Sequence, residues 1–183
     1  MRIIAGRHRG RVLAAPDGST TRPTADRVRE ALFNILAHGR MDLRGSLVLD
    51  AFAGSGSLGF EALSRGAGHV FFMESEANAL AIIAGNARKL GVAGEVTLLA
   101  ANVLSPPTAR QACDLLLLDP PYKSGLGHLA LPALAAAGWL AAQSLVVVEV
   151  AAGEGYKSPL ADFVISDERR YGAARLVFLQ QKT

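Results

Sequence analysis

The sequence predicts an α/β domain: a mostly parallel seven-stranded sheet with helices on both faces, an antiparallel C-terminal hairpin and a short N-terminal β-hairpin extension. Three observations carry this expectation. Five short, largely apolar runs, Leu47–Leu49, Val70–Met73, Val96–Ala100, Leu115–Leu118 and Leu145–Val150, alternate with helix-patterned segments. Such runs suit strands buried on both faces of a parallel sheet. The first run feeds a glycine-rich turn, Asp50-Ala51-Phe52-Ala53-Gly54-Ser55-Gly56-Ser57-Leu58-Gly59, and ligands in doubly wound folds gather at the carboxyl ends of the strands. The chain's end drops the alternation. Phe163–Ser166 and Arg175–Gln180 flank a polar stretch containing Gly172, which reads as a hairpin closing the sheet edge.

In chain order, Arg2–Ala5 and Arg11–Ala14 read as two short strands joined through Gly6–Gly10, followed by the turn signal Pro16-Asp17-Gly18. A helix is expected from Thr24, with Pro23 stopping extension upstream, Thr24 as cap, and Val28, Leu32, Ile35 and Leu36 on one face. Between the apolar runs, helices are expected over Leu58–Arg65, Ala77–Leu90, weakly around Thr108–Ala112, and over Gly127–Ala137. The organisation is one domain, residues 23–183, with a basic extension over residues 1–22. At 183 residues the chain is long enough for one well-buried core and too short for two comfortable ones.

Half the residues are hydrophobic and 19% are charged, a composition that folds rather than stays disordered. The longest apolar stretch, Leu129–Ala142, contains Pro132 and Gly138 and reads as a core helix, not a membrane span. No secretory signal is visible, and the single Cys113 cannot form an internal disulfide, so a cytoplasmic protein without membrane association is expected. The net charge of +3 is unevenly spread. Residues 1–45 hold nine arginines against four acids, while the remainder is slightly acidic. A basic arm on an acidic body points to a polyanion, with Arg7, Arg9, Arg11 and Arg22 as the expected contacts.

Gly54, Gly56 and Gly59 match the dinucleotide pattern G-x-G-x-x-G. Asp50 argues against that ligand, because a carboxylate at the strand tip would repel a pyrophosphate on the glycine turn. S-adenosylmethionine has no phosphate, and its ammonium suits Asp50. Glu74, ending the second strand, suits the two hydroxyls of a ribose, and Asn102 after the third suits an adenine amino group. The expected cofactor set is Asp50, Ala53, Gly54, Gly56, Glu74, Ser75, Asn102, Val103 and Thr24. No metal is expected.

The fourth run delivers Asp119-Pro120-Pro121-Tyr122 to the same edge. An exocyclic amine on a base is a poor nucleophile because its lone pair is delocalised into the ring. A carboxylate and a rigid backbone carbonyl can each accept one N–H and turn the lone pair outward. Consecutive prolines fix φ and remove competing donors. Tyr122 offers a face on which a base stacks, worth about 1–3 kcal/mol. Asp119, Pro120 and Tyr122 are therefore the expected catalytic residues. Carbon-5 methylation of pyrimidines needs a cysteine nucleophile, and Cys113 lies at the wrong end of its strand.

Over nearly the whole chain the sequence resembles the bacterial 16S rRNA guanine-N2 methyltransferases of the methyltransferase D type, which have the Rossmann-like class I methyltransferase fold. The matching segments are Met1–Gly6 with Arg9-Gly10-Arg11, Arg22–Asn34, Asp50–Gly56 with Gly59, Glu61–Ala67, and Asp119–Tyr122. The resemblance implies transfer of a methyl group from S-adenosylmethionine to a guanine N2 at position 966 of 16S rRNA. It also implies that the helix from Thr24 covers the cofactor pocket and that the arginine-rich hairpin meets RNA in the small ribosomal subunit or its assembly intermediate. A monomer is expected. The competing readings are an adenine-N6 nucleic-acid methyltransferase, a protein-glutamine methyltransferase, a dinucleotide oxidoreductase and a non-catalytic RNA-binding module. The first lacks room for a target-recognition domain, Asp119 tilts against the second, Asp50 against the third, and the last would be expected to have lost Asp50, the glycines or Asp119.

Overall fold

The alternation of apolar runs and helical segments folds into one seven-stranded sheet of order β3-β2-β1-β4-β5-β7-β6. The computed structural model describes residues 1–15 and 23–182, with residues 23–25 described by backbone alone. The strands are β1 Leu47–Ala51, β2 His69–Glu74, β3 Val96–Ala100, β4 Cys113–Leu118, β5 Leu140–Ala151, β6 Phe163–Tyr171 and β7 Ala174–Gln181. β1 to β5 run parallel, β7 lies antiparallel on β5, and β6 forms the outer edge on β7. The helices are α1 Pro23–Ile35, α2 Ser57–Ser64, α3 Ala77–Leu90 and α4 Leu126–Ala136.

Residues of β1, β2, β4 and β5 alternate between two cores, which is why these strands are apolar at nearly every position, whereas β3 at the sheet edge is only half-buried. Val48, Val70, Phe72, Leu115, Leu117 and Val147 pack with α1, α2 and α3 through Leu32, Phe33, Phe60, Leu63 and Ile83. Leu49, Phe71, Met73, Leu116, Val146 and Val148 face the other way onto α4 through Leu131 and Leu134. Trp139 fills the second core at 2% exposure, edge-on to Phe71 at 5.4 Å, and its indole N–H donates to the Pro107 carbonyl at 2.9 Å.

The structure departs from the sequence-based expectations in four places. The N-terminal strands contract to one antiparallel bridge, Arg2↔Val12. The reason is that the backbone N–H groups of Ile4 and Ala5 donate to the buried Glu61 carboxylate at 2.8 and 3.1 Å instead of continuing a ladder. Gly6 makes that docking possible, since a Cβ there would sit 1.8 Å from the Ser64 carbonyl oxygen. Thr108–Ala112 is not helical. It follows two prolines, is too short to nucleate a helix, and hangs from α4 by the Ala109 N–H to Ala137 carbonyl bond of 2.8 Å. The Leu129–Ala142 stretch is not one helix: α4 ends at Ala136, Gly138 turns the chain at φ 82°, and β5 starts at Leu140. Finally, α1 opens on Pro23, so Thr24 sits inside the first turn rather than at the cap.

Candidate active site

β1, β2 and β3 build outward in one direction, and the chain then returns to place β4 on the other side of β1. At that reversal the loops leaving β1 and β4 part, which opens a crevice at the carboxyl edge. A cleft of about 780 Å³ lies there, lined by the loops leaving β1, β3 and β4, by β2 and β5, and by the start of β7. Val28 of α1 contributes to one wall.

The glycine turn is held from two sides. Asp50 is 1% exposed, and its Oδ2 accepts the Gly59 N–H at 2.8 Å in the first turn of α2, where the helix dipole favours a carboxylate. Glu74 Oε2 accepts the Gly54 N–H at 2.8 Å, while Oε1 accepts the N–H groups of Ser75 and Glu76 at 2.8 and 2.9 Å. Glu74 thus ties the β1 turn to the β2 turn along the cleft wall. A Cβ on Gly59 would lie 2.3 Å from the Phe72 ring, so the third glycine serves close packing of α2 on β2. A Cβ on Gly54 would meet nothing nearer than the Phe52 carbonyl oxygen at 3.9 Å, which leaves that backbone approachable. Phe52 lines the cleft at φ 65°, a conformation that costs a bulky residue about 1–3 kcal/mol.

β4 ends at Leu118 and delivers Asp119, Pro120, Pro121 and Tyr122 to the cleft wall. The Pro121 carbonyl accepts the Ser124 hydroxyl at 2.5 Å and its N–H at 3.3 Å. Gly127 lets α4 approach Pro120, whose Cγ would be 3.4 Å from a Cβ there. The Tyr122 hydroxyl donates to Glu149 Oε1 on β5 at 2.5 Å. Burial, then the charge of Glu149, pushes Asp119 up to about 7; the side chain opens onto water in the cleft but is walled in by protein. Burial raises Glu149 as well, against the lowering effect of the Tyr122 hydroxyl, so the two carboxyls titrate as a pair. Asp50 is raised well above the carboxylate range by burial, with Asp119 and Glu74 adding to the effect and the Gly59 N–H opposing it.

Glu74, Ser75, Asn102, Val103, Asp119, Pro120 and Tyr122 all line this cleft. Ala53 and Gly56 shape the turn beside it, the Gly56 N–H donating to the Ala53 carbonyl at 2.7 Å. Asp50 lies beneath the lining, so its direct contact is with the turn. Asn102 Oδ1 accepts the Leu104 N–H at 2.9 Å, an Asx turn that fixes the loop after β3. Arg7 is elsewhere. It pairs with Glu95, immediately before β3, which places it at the amino edge of the sheet, opposite the cleft. Arg9 and Arg11 are exposed on the same hairpin and do not line the cleft. Arg22 and the side chain of Thr24 lie outside the described residues. The sequence reading missed Glu149, whose signal was available: it is the one charged residue in the run Leu145–Val150. It also missed Phe52, whose positive φ no local pattern announces.

The lining formed by the described residues carries three carboxylates, Glu74, Asp119 and Glu149, and no lysine or arginine. Such a cleft attracts a cation and repels phosphate, at about 4 kcal/mol per unit-charge pair 4 Å apart at the effective dielectric of a protein surface.

A family model described as conserved hypothetical protein 95 matches residues 1–180. The chain is 36% identical over 173 residues to the ribosomal RNA small subunit methyltransferase D of Escherichia coli strain K12, covering 94% of this chain and 85% of that protein. Identity to the Haemophilus influenzae protein of the same name is 39% over 153 residues, covering 81% and 78%. A solved structure of a candidate methyltransferase from Escherichia coli matches with a TM-score of 0.87 at 33% identity, over 100% of this chain and 98% of that one.

Proposed function

The chain belongs to the conserved hypothetical protein 95 family, and from that premise we propose that it is an rRNA methyltransferase transferring a methyl group from S-adenosylmethionine to a guanine N2 amine in small-subunit rRNA. The observation that carries the reading is an acid-lined cleft at the topological switch point that brings Phe52, beside the glycine turn, together with Glu74 and Asp119-Pro120-Pro121-Tyr122. The names of the relatives support rRNA as the substrate class. The guanine N2 rests on the resemblance of the N-terminal hairpin and the α1 segment.

The residues present fit this cofactor better than a dinucleotide. A sulfonium and an ammonium are cations, and the cleft offers Glu74, Asp119 and Glu149 without a basic counterpart among the described lining residues. The open approach to Gly54 leaves room for a ligand against the turn, and Glu74 on the wall, whose Oε2 accepts the Gly54 N–H, has room there for one further donor such as a ribose hydroxyl. When bound, S-adenosylmethionine supplies an electrophilic methyl group on a positively charged sulfur.

The protein's own part is positioning and proton handling. Asp119 accepts one N–H of the target amine and the Pro120 carbonyl the other, which directs the nitrogen lone pair toward the methyl donor. The amine sheds a proton as it is methylated. The Asp119 carboxylate, whose proton affinity is raised by burial and Glu149, takes it and releases it to water in the cleft. Tyr122, its hydroxyl tethered to Glu149, presents a face for stacking.

The test is transfer of labelled methyl to small-subunit particles that lack the modification, followed by nuclease digestion. N2-methylguanosine is expected as the product, with activity lost in Asp119→Ala while S-adenosylmethionine binding survives. N6-methyladenosine as the product, or preferential binding of NAD, overturns the reading.

A further inference from the structure

Glu149 is the lone acid in a strand whose other residues from Leu145 to Val150 are apolar, and β5 places it at a partly buried position. The parallel register explains its neighbour. Leu118, the last residue of β4, pairs with Val148, so Asp119 and Glu149 come next on neighbouring chains at the carboxyl edge. Both line the same cleft, and Tyr122 Oη holds Glu149 Oε1 at 2.5 Å. Anchoring a tyrosine does not require a charge at this place, and putting a second carboxylate beside Asp119 is electrostatically costly. A ligand with two adjacent donors removes that cost.

On the reading that the target is a guanine, we infer that Glu149 is the specificity residue of the base pocket. Its Oε2 accepts the guanine N1–H while Asp119 holds the neighbouring N2 amine. The two donors of guanine lie next to each other on its Watson–Crick edge. Adenine presents a lone pair at N1 beside its amine, and an ionised carboxylate can only accept. The pair Asp119–Glu149 therefore matches guanine and repels a base that brings a lone pair to the second site. The Tyr122 hydroxyl occupies Oε1 and opposes the rise that burial imposes on Glu149, and a donor such as guanine N1–H at Oε2 favours the ionised, accepting form further.

The experiment uses small-subunit particles reconstituted with rRNA carrying either guanine or 2-aminopurine at the target position. 2-Aminopurine keeps the N2 amine but replaces N1–H with a lone pair. The wild-type protein should prefer guanine in kcat/KM by roughly 10- to 100-fold. Glu149→Gln presents an amide N–H to N1, so the preference should collapse or invert, chiefly through KM. Glu149→Asp, which keeps the charge, should retain the sign of the preference. Calorimetric binding of S-adenosylmethionine to each variant checks that the fold and cofactor site persist. If Glu149→Gln lowers transfer to both bases equally and leaves the ratio at its wild-type value, Glu149 only positions Tyr122 and the inference is overturned alone. Absence of wild-type transfer to guanine overturns the function reading and the inference with it.

Discussion

Asp119→Asn is expected to stabilise the ligand-free protein at pH 8 while abolishing methyl transfer. Burial and the Glu149 charge push Asp119 up to about 7, against about 3.9 for an ordinary aspartate. At 1.36 kcal/mol per pH unit this sets a ceiling of about 4 kcal/mol on the cost of holding that charge in the native state. The carboxyl opens onto water in the cleft, so screening reduces the cost to roughly 1–2 kcal/mol. The sign follows from which state binds the proton more tightly. The folded protein keeps it to higher pH than the unfolded chain, so the carboxyl's contribution is fully present below about pH 4. It is lost as pH rises through about 7 and is constant above that. An asparagine carries no such dependence. The melting temperature of Asp119→Asn should therefore match wild type below pH 4 and exceed it by about 2–8 °C at pH 8. Scanning calorimetry from about pH 3 to 9, spanning the ordinary aspartate value and the raised one, with a methyl-transfer assay on the same samples, measures both halves. A melting temperature at or below wild type at pH 8, or a gain that does not vary with pH, refutes the electrostatic account of the cleft.

Gly59→Ala should destabilise the protein by about 1–3 kcal/mol through overpacking, because its Cβ would lie 2.3 Å from the Phe72 ring and 2.8 Å from Val70; chemical denaturation reads this, and unchanged stability would show that α2 can shift off β2 freely. Neutralising Arg9 and Arg11 should weaken RNA binding and lower the slope of log affinity against log salt by about 0.7–0.9 per residue. Arg7, already paired with Glu95, should contribute less. An unchanged slope would return both arginines to the solvated surface.

Much of the fold was legible in local pattern. The apolar runs specify strands, and all five occur in the sheet, with β3 at its edge only half-buried. Ala77–Leu90 forms the helix that its periodicity predicts. The C-terminal polar stretch with Gly172 turns as a two-residue loop between Tyr171 and Ala174. These features depend on contacts within a few residues, so they survive translation into sequence rules. The N-terminal hairpin was less legible, because its backbone donors are satisfied by Glu61, a residue far along the chain.

The sequence by itself determined the element types, the doubly wound class, and the residue types gathered at the strand tips: Asp50, the glycines, Glu74 and Asp119-Pro120-Pro121-Tyr122. Tertiary structure alone decided which of these meet. It placed Asp50 under the glycine turn rather than on the cleft lining, turned Asn102 into a loop fastener, and carried Arg7 to the edge opposite the cleft. It also brought Glu149, thirty residues beyond Asp119 in sequence, to the neighbouring strand tip through the pairing of Leu118 with Val148. Strand order and register are set by how whole faces pack, and no local spacing encodes them. The charge of the cleft is consequently a property of the sheet, assembled from acids that are ordinary one at a time.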